Sequence, residues 1–335
     1  MTLAIDLVVL AGAAFITATL IVLLHPLLQR YALARPNARS SHRVPTPQGG
    51  GIAVMAGAIV VVAAVALLEP QTVTEAWRLA VVFTAAVGLA IVGVTDDIRP
   101  LEAWPRLVLQ ALAVAIVVAA LPPALRVVPI LPWWIERALM TLALVWLVNL
   151  VNFMDGIDWI TVAEVVPVTA ALALFGWNGA LPADATLTAL ALCGAMLGFA
   201  PFNRPVAKLF LGDVGSLPTG LLLGWLLILL AEHRLAAAVL LPLYYLADAT
   251  ITLLRRLFRG ERITQAHRSH YYQQAIDGGM SVHAVVGRIF AVNLALAALA
   301  AATLGASWEL QILAVIGGIA LVAALLASLS RAKVR

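Results

Sequence analysis

Residues 51–68 read GIAVMAGAIVVVAAVALL, an unbroken apolar run without one charged or amide side chain. A helix crossing a bilayer needs about 20 mostly apolar residues, with a range near 17–25. Inside lipid a single segment can satisfy its own backbone polar groups only as a helix. The run is therefore read as a membrane span. Working outward, comparable segments recur at about 3–24, 78–94, 104–121, 133–152, 160–176, 185–202, 214–231, 234–254, 284–304 and 309–330. The expected fold is an all-α, polytopic integral membrane protein of about eleven transmembrane helices. Composition agrees: 63% of the 335 residues are hydrophobic, 11% are charged and the mean hydropathy is +1.01. Soluble domains carry about 25% charged residues, so a water-soluble architecture is excluded. The one cysteine, Cys193, rules out an internal disulfide.

Eleven spans predict which loops share a side. Loops after odd-numbered spans, with the carboxyl-terminal tail, hold 17 of the 21 Lys and Arg, among them Arg43, Arg99, Arg106, Lys208, Arg255 and Arg268. The other side holds only Arg78, Arg126, Arg137 and Arg234. The positive-inside bias then places the amino terminus in the periplasm and the carboxyl terminus in the cytoplasm. Topology also accounts for the net charge of +4, and nucleic acid is not an expected partner. The first segment has no basic n-region and is too long for an h-region, so no cleavable signal is expected. On the outer side, Pro122, Pro123, Pro129 and Pro132 predict a non-helical connection, with Trp133 and Trp134 in an aromatic belt. No long repeat or linker divides the chain, so residues 1–335 are read as one transmembrane domain. Its expected cytoplasmic loops lie at about 25–50, 95–106, 153–160, 203–216 and 255–283.

Four polar clusters interrupt the apolar text, all on the expected cytoplasmic side. The first combines Arg35, Arg39 and Arg43 with Pro45-Thr46-Pro47-Gln48-Gly49-Gly50-Gly51. It is either a topogenic basic loop closed by a glycine helix start, or a place where backbone N–H groups and arginines meet a phosphate. The second is Asp96-Asp97 at the end of span three, followed by Arg99 and Arg106. Two adjacent carboxylates need compensation, either from those arginines or from a divalent cation with room left for phosphate. The third, Asn149-Leu-Val-Asn152-Phe-Met-Asp155-Gly156-Ile-Asp158, puts amides and carboxylates at the end of span five on adjoining helix faces. Such groups are costly near lipid and must face protein, water or ligand. The fourth comprises Asn203, Lys208 and Leu211-Gly-Asp213-Val-Gly-Ser216, where glycines flank an aspartate and admit a close ligand or an ordinary capped turn.

After span nine the connection carries Arg255, Arg256, Arg259, Arg262, His267, Arg268, His270, Tyr271 and Tyr272. A basic stretch beside a membrane meets anionic lipid. The paired histidines and tyrosines tilt this one towards a nucleotide or diphosphate site. Asp248 is read as a structural partner for a neighbouring basic residue.

These ordered motifs resemble the polyprenyl-phosphate N-acetylhexosamine-1-phosphate transferases, glycosyl transferase family 4. The resemblance covers about residues 35–275: P-N-x-R-S-S-H-x-x-P-T-P-x-G-G-G at 36–51, the Asp pair at 96–97 and N-x-x-N-x-x-D-G-x-D at 149–158. It continues through Asn203-Arg204-Pro205, then Ala207 to Ser216, and through Asp248 to Arg256. It implies transfer of a sugar-1-phosphate from a UDP-N-acetylhexosamine to undecaprenyl phosphate, with UMP released and Mg2+ or Mn2+ required. Asp96, Asp97, Asp155 and Asp158 would be catalytic, and Asp213 with Asp96 would hold the metal. Asn149, Asn152, Asn203, Lys208, His267, Arg268, His270, Arg43 and Arg106 would bind substrate. Membrane lipids surround such enzymes, and a homodimer is compatible with the resemblance.

Two departures stand out. The family's D-G-x-D-G ends in Trp159 here, and its H-x-H-H is reduced to His267-Arg268-Ser269-His270. This variant resembles the branch that starts O-antigen or related surface polysaccharides more than the muramoyl-pentapeptide branch. A transporter would also bury polar residues, but typically near the midplane at broken helices. Carboxylates gathered at one face favour an enzyme joining a soluble and a lipid substrate, over both a transporter and a scaffold.

Overall fold

The computed structural model describes residues 3–34, 45–73, 75–261 and 267–331. Its helices are α1 (Leu3–Tyr31), α2 (Gly50–Leu68), α3 (Ala76–Ile98), α4 (Ala103–Ala120), α5 (Trp133–Met154) and α6 (Ile160–Trp177). They continue with α7 (Ala183–Phe199), α8 (Asp213–Leu240), α9 (Leu243–Phe258), the short α10 (Tyr271–Asp277), α11 (Val282–Ala302) and α12 (Trp308–Ser330). Among the described residues, nine helices are long and apolar enough to cross a membrane. The chain is a multi-pass, all-helical membrane protein. Each of the eleven expected segments coincides with a helix, but α7 at 17 residues and α9 at 16 are shorter than the nine.

The boundary expected near 231–234 coincides with a kink: within Asp213–Leu240 the backbone leaves helical geometry at Arg234, at φ −139° and ψ 53°, so two helices meet there. Beyond it Leu241 keeps helical angles, and Pro242 precedes α9. One departure is a small antiparallel pairing of β1 (Leu33–Ala34) with β2 (Thr46–Pro47), which closes the base of the first basic loop. Arg43 lies outside the described residues.

Helix α7 is buried over nearly its whole length, with α1, α2 and α6 packed against it. Helix α8 packs on α3, α5 and α2. Close crossings set these distances. A Cβ on Gly51 of α2 would lie 2.1 Å from the Gly215 Cα of α8, so the two backbones touch where both residues lack side chains. At the opposite end of the helices, the proline-rich connection 122–132 is pinned from α5. Glu136 accepts the N–H groups of Val127 and Val128 and pairs with Arg126, while Arg137 donates to the Pro122 and Leu125 carbonyls at 2.6 and 3.1 Å.

Candidate active site

The glycines of the first cluster serve packing. Gly50 and Gly51 donate their N–H groups to the Phe210 and Leu211 carbonyls, both at 2.9 Å, and Phe210 donates back to Pro47. The reading of these N–H groups as a phosphate cradle is therefore corrected: both donors already hold the fourth cluster against the first. Gln48 extends the seam by donating its side-chain amide to the Asp97 carbonyl at 2.9 Å.

That seam delivers the α8 amino terminus to the end of α3. The Asp97 carboxylate accepts the backbone N–H of Asp213 at 3.1 Å and of Val214 at 3.2 Å. Unpaired N–H groups and the positive end of the helix dipole both favour an anion there. Asp97 thus caps α8 from a neighbouring helix and fixes where Asp213 starts. The approach is tight: a Cβ on Gly93 would fall 2.3 Å from the Asp213 carbonyl carbon.

Asp213 itself is only partly covered. Its Oδ1 accepts from the Asn152 side-chain amide at 2.7 Å, and the same amide reaches Ser216 Oγ at 2.9 Å. Its Oδ2 lies 3.5 Å from Arg106 Nη1, which also contacts Asp96 Oδ2 at 2.6 Å. Asp96 takes a further N–H from Leu101 at 2.6 Å. Two carboxylates from distant segments therefore converge on one guanidinium nitrogen. Side-chain exposures of 12–25% leave this cluster open to a ligand.

Asn149 lies one turn deeper on α5 and donates to Gln110 Oε1 at 2.8 Å. Gln110 escaped the sequence reading. It is 1% exposed, and its Nε2 has no hydrogen-bond partner. The available signal was an amide inside an apolar span, one turn beyond Arg106 on the same face. Glu164, also 1% exposed, was likewise unremarked; it accepts from the Asn293 amide of α11 at 2.7 Å.

Beyond α5 the chain turns back into α6. Asp155 accepts the Thr161 hydroxyl at 2.5 Å, and Asp158 accepts the Ala207 N–H at 3.0 Å. Burial pushes the Asp155 carboxyl up to about 7; the nearby Asp97 and Asp158 charges add to the rise and the Thr161 hydroxyl opposes it. Trp159 occupies the left-handed region at φ 65°, where glycine is favoured. Asn203 secures it by accepting its N–H at 2.8 Å, and the indole Nε1 donates to the Ala200 carbonyl at 2.6 Å. An indole thus stands at a backbone position whose conformation favours glycine.

The histidine segment is joined to this region by Tyr272, whose hydroxyl donates to the Phe153 carbonyl at 3.3 Å. Asp248 is fully buried beneath it, 3.3 Å from His270 Nδ1 and accepting the Tyr271 N–H at 3.0 Å. It also accepts the Tyr244 and Thr252 hydroxyls of α9 at 3.2 and 3.3 Å, so the basic residue beside it is a histidine from outside that helix. His270 is 2% exposed, with Tyr272 stacked at 5.7 Å between ring centroids. His267 is more open; burial, His270 and Arg256 hold its imidazole down at about 4. Arg268 pairs with Asp277 at 2.7 Å. The described residues thus bring Asp96, Asp97, Arg106, Asn152 and Asp213 into direct contact, with Asn149 adjoining. Asp155, Asp158, Asn203 and the histidines form a second tier. Lys208 stays on the surface, with its carbonyl facing His25.

Among the described residues, no three His, Cys, Asp or Glu side chains are arranged about one point as metal ligands. The chemistry of the central pair still suits a hard cation: Mg2+ is commonly held by one or two carboxylates with phosphate and water completing its shell. Asp96 and Asp213, sharing one guanidinium, are such a pair.

Residues 79–231 match the profile described as glycosyl transferase family 4. That stretch contains the whole contact set around Asp213. A phospho-N-acetylmuramoyl-pentapeptide-transferase of Streptococcus pneumoniae (strain Hungary19A-6) is 34% identical over 147 residues, which is 42% of this chain and 43% of the relative. The protein of the same name from Enterococcus faecalis is 34% identical over 134 residues, 38% of this chain and 40% of the relative. The one from Lactiplantibacillus plantarum is 31% identical over 157 residues, 45% and 48%. The matched stretch spans less than half the length of each relative.

Proposed function

We propose that this chain is a membrane-embedded phosphoglycosyltransferase of the glycosyl transferase family 4 type. It moves an N-acetylhexosamine-1-phosphate from a UDP-sugar to undecaprenyl phosphate. An oxygen of the lipid phosphate attacks the sugar-bearing phosphorus, the bond to the bridging oxygen breaks, and UMP leaves with that oxygen. The product, a polyprenyl-diphosphate-linked sugar, starts an O-antigen or related surface glycan. The carrying observation is the convergence of Asp96 and Asp213 on Arg106, with Asn152 on the other Asp213 oxygen. Phosphoryl transfer is mainly positioning and charge neutralisation, and this cluster supplies both signs of charge at one helix-end face.

Asp96 and Asp213 would hold Mg2+, or Mn2+ in its place, which neutralises diphosphate charge when bound. Arg106 would then turn to a phosphate oxygen. Asp97 acts as a positioning residue, since both its oxygens accept the α8 N–H groups. No strong general base is required, because a phosphomonoester has a second pKa of about 6 and is largely dianionic near neutrality. The charge bias of the loops supports a cytoplasm-facing site in a bacterial inner membrane.

The test uses purified protein, undecaprenyl phosphate, Mg2+ and a panel of UDP-N-acetylhexosamines, following UMP and the lipid product by mass. One donor should give metal-dependent UMP, Asp213→Asn should abolish it, and Trp159→Gly should shift donor preference. No UMP from folded protein across the panel, with Mg2+ or Mn2+, would sink the reading.

A further inference from the structure

Between α9 and α10 a serine settles which nitrogen of an imidazole carries the hydrogen. Ser269 Oγ lies 2.8 Å from His267 Nδ1, and the Ser269 backbone N–H donates to the same nitrogen at 3.4 Å. A hydroxyl can donate or accept, but a backbone N–H only donates. Nδ1 therefore offers its lone pair, and the Ser269 hydroxyl donates to it as well. The bond made at one ring nitrogen sets the state of the other, so the hydrogen of the uncharged ring sits on Nε2. An imidazolium would turn a second hydrogen towards the Ser269 N–H and lose this contact. The surroundings act in the same direction. Burial, His270 and Arg256 hold the imidazole down at about 4 against the opposing charge of Glu261, so the ring is neutral near pH 7.

The ring is also held in place. Ser269 is fixed from α10, whose Gln274 side chain donates to its carbonyl at 2.6 Å. His267 stacks on His270 with centroids 4.9 Å apart, His270 stacks on Tyr272, and the Tyr272 hydroxyl donates to the Phe153 carbonyl. A Cβ on Gly156 would collide with that hydroxyl, so the column of rings ends against the turn carrying Asp155 and Asp158. His270 and Tyr272 are buried, whereas His267, at the far end, is half-buried.

We infer that Ser269 is a positioning residue: it keeps His267 in the Nε2–H tautomer, as an uncharged hydrogen-bond donor to a diphosphate oxygen of the nucleotide sugar. The identity of the ligand rests on the transferase reading given above. An oxyanion is the acceptor that this neighbourhood selects. Arg256 acts on the His267 charge, Arg268 follows it in the chain, and Arg255 lies over the Tyr271 ring at 4.8 Å. Arg256 and Arg268 have carboxylate partners in Glu261 and Asp277, so the positive charge is partly balanced before a ligand arrives. A neutral N–H adds direction there without adding another cation.

The test reads the ring directly. Solid-state 15N spectra of 15N-histidine protein in proteoliposomes report which nitrogen is protonated, with His267 assigned by its loss in His267→Gln. At pH 7 wild-type His267 should show a bare Nδ1 and a protonated Nε2. UDP should shift the Nε2 signal, whereas uridine and undecaprenyl phosphate should not. Ser269→Ala should mix the tautomers, and Ser269→Thr should restore the wild-type pattern. An Nδ1–H ring or an imidazolium in the wild type overturns the proposal, as does an unchanged spectrum in Ser269→Ala. A missing UDP response, or one matched by undecaprenyl phosphate, overturns the diphosphate contact.

Turnover tests whether Ser269 acts through His267. Ser269→Ala should lower kcat/KM for the nucleotide sugar roughly three- to tenfold, the scale of one hydrogen bond, and leave KM for undecaprenyl phosphate unchanged. His267→Gln presents an amide N–H with no tautomer to choose, so Ser269→Ala should have no further effect in that background. An equal loss in both backgrounds would make Ser269 merely structural and overturn the proposal. Wild-type protein that releases no UMP but keeps the Nε2–H ring and its UDP response would discard the transferase reading and leave the role of Ser269 standing.

Discussion

Arg106 stands where two acidic segments would otherwise repel, and its removal has a readable consequence. Arg106→Ala leaves Asp96 and Asp213 facing each other without a cation, so thermal stability should fall by about 1–3 kcal/mol. Millimolar Mg2+ should restore part of that loss by binding only the folded protein. Thermal scans with and without Mg2+ decide it, and an Mg2+-insensitive variant would remove the metal from this pair. Asp155 offers a pH test. Its folded value of about 7 lies above the ordinary 3.8, so the folded state holds the proton more tightly. Its contribution is complete below about 4 and is lost as pH rises through about 7. Asp155→Asn should flatten that part of the stability profile, measured as Tm against pH. An identical profile would mean that the carboxyl titrates normally.

Between elements, the α3–α8 contact is set by what Gly93 lacks. Gly93→Ala would drive a Cβ to 2.3 Å from the Asp213 carbonyl carbon, whereas Gly88→Ala, five residues earlier, meets open space. The two substitutions should act in opposite directions. Gly88→Ala should gain about 0.5–1 kcal/mol of helix stability. Gly93→Ala should lose about 1–3 kcal/mol and slow turnover, because α3 must move away from the Asp213 backbone it positions. Equal effects in thermal scans would mean that α3 does not set the position of α8. The Asp97 cap acts at this same contact.

At the scale of the whole molecule, sidedness can be tested without substrate. In a Cys193→Ala background, Lys208→Cys should react with an impermeant maleimide only from the cytoplasmic side. Ile130→Cys, in the α4–α5 connection and 89% exposed, should react in spheroplasts with the inner membrane intact. The reverse pattern would invert the orientation.

Span positions were legible because apolar length is a local property, and the charged Arg234 marked the kink where two of them meet. The motif residues Asp96, Asn152 and Asp213 could be named from the chain, and so could Arg106. Their meeting could not, because it depends on crossings such as Gly51 on Gly215, where backbone contact rather than side-chain chemistry fixes the helix spacing. Gln110 and Glu164 were hidden for a related reason: a lone polar residue in an apolar helix acquires a partner only when another helix packs on it. The glycine run showed the converse, since a pattern suited to phosphate proved to be committed to the Phe210 and Leu211 carbonyls. Composition and periodicity by themselves determined a helical membrane protein with its polar groups gathered in alternate loops. Only the tertiary structure decided which carboxylates share a cation and which glycine faces open space, because both depend on distances between segments far apart in sequence.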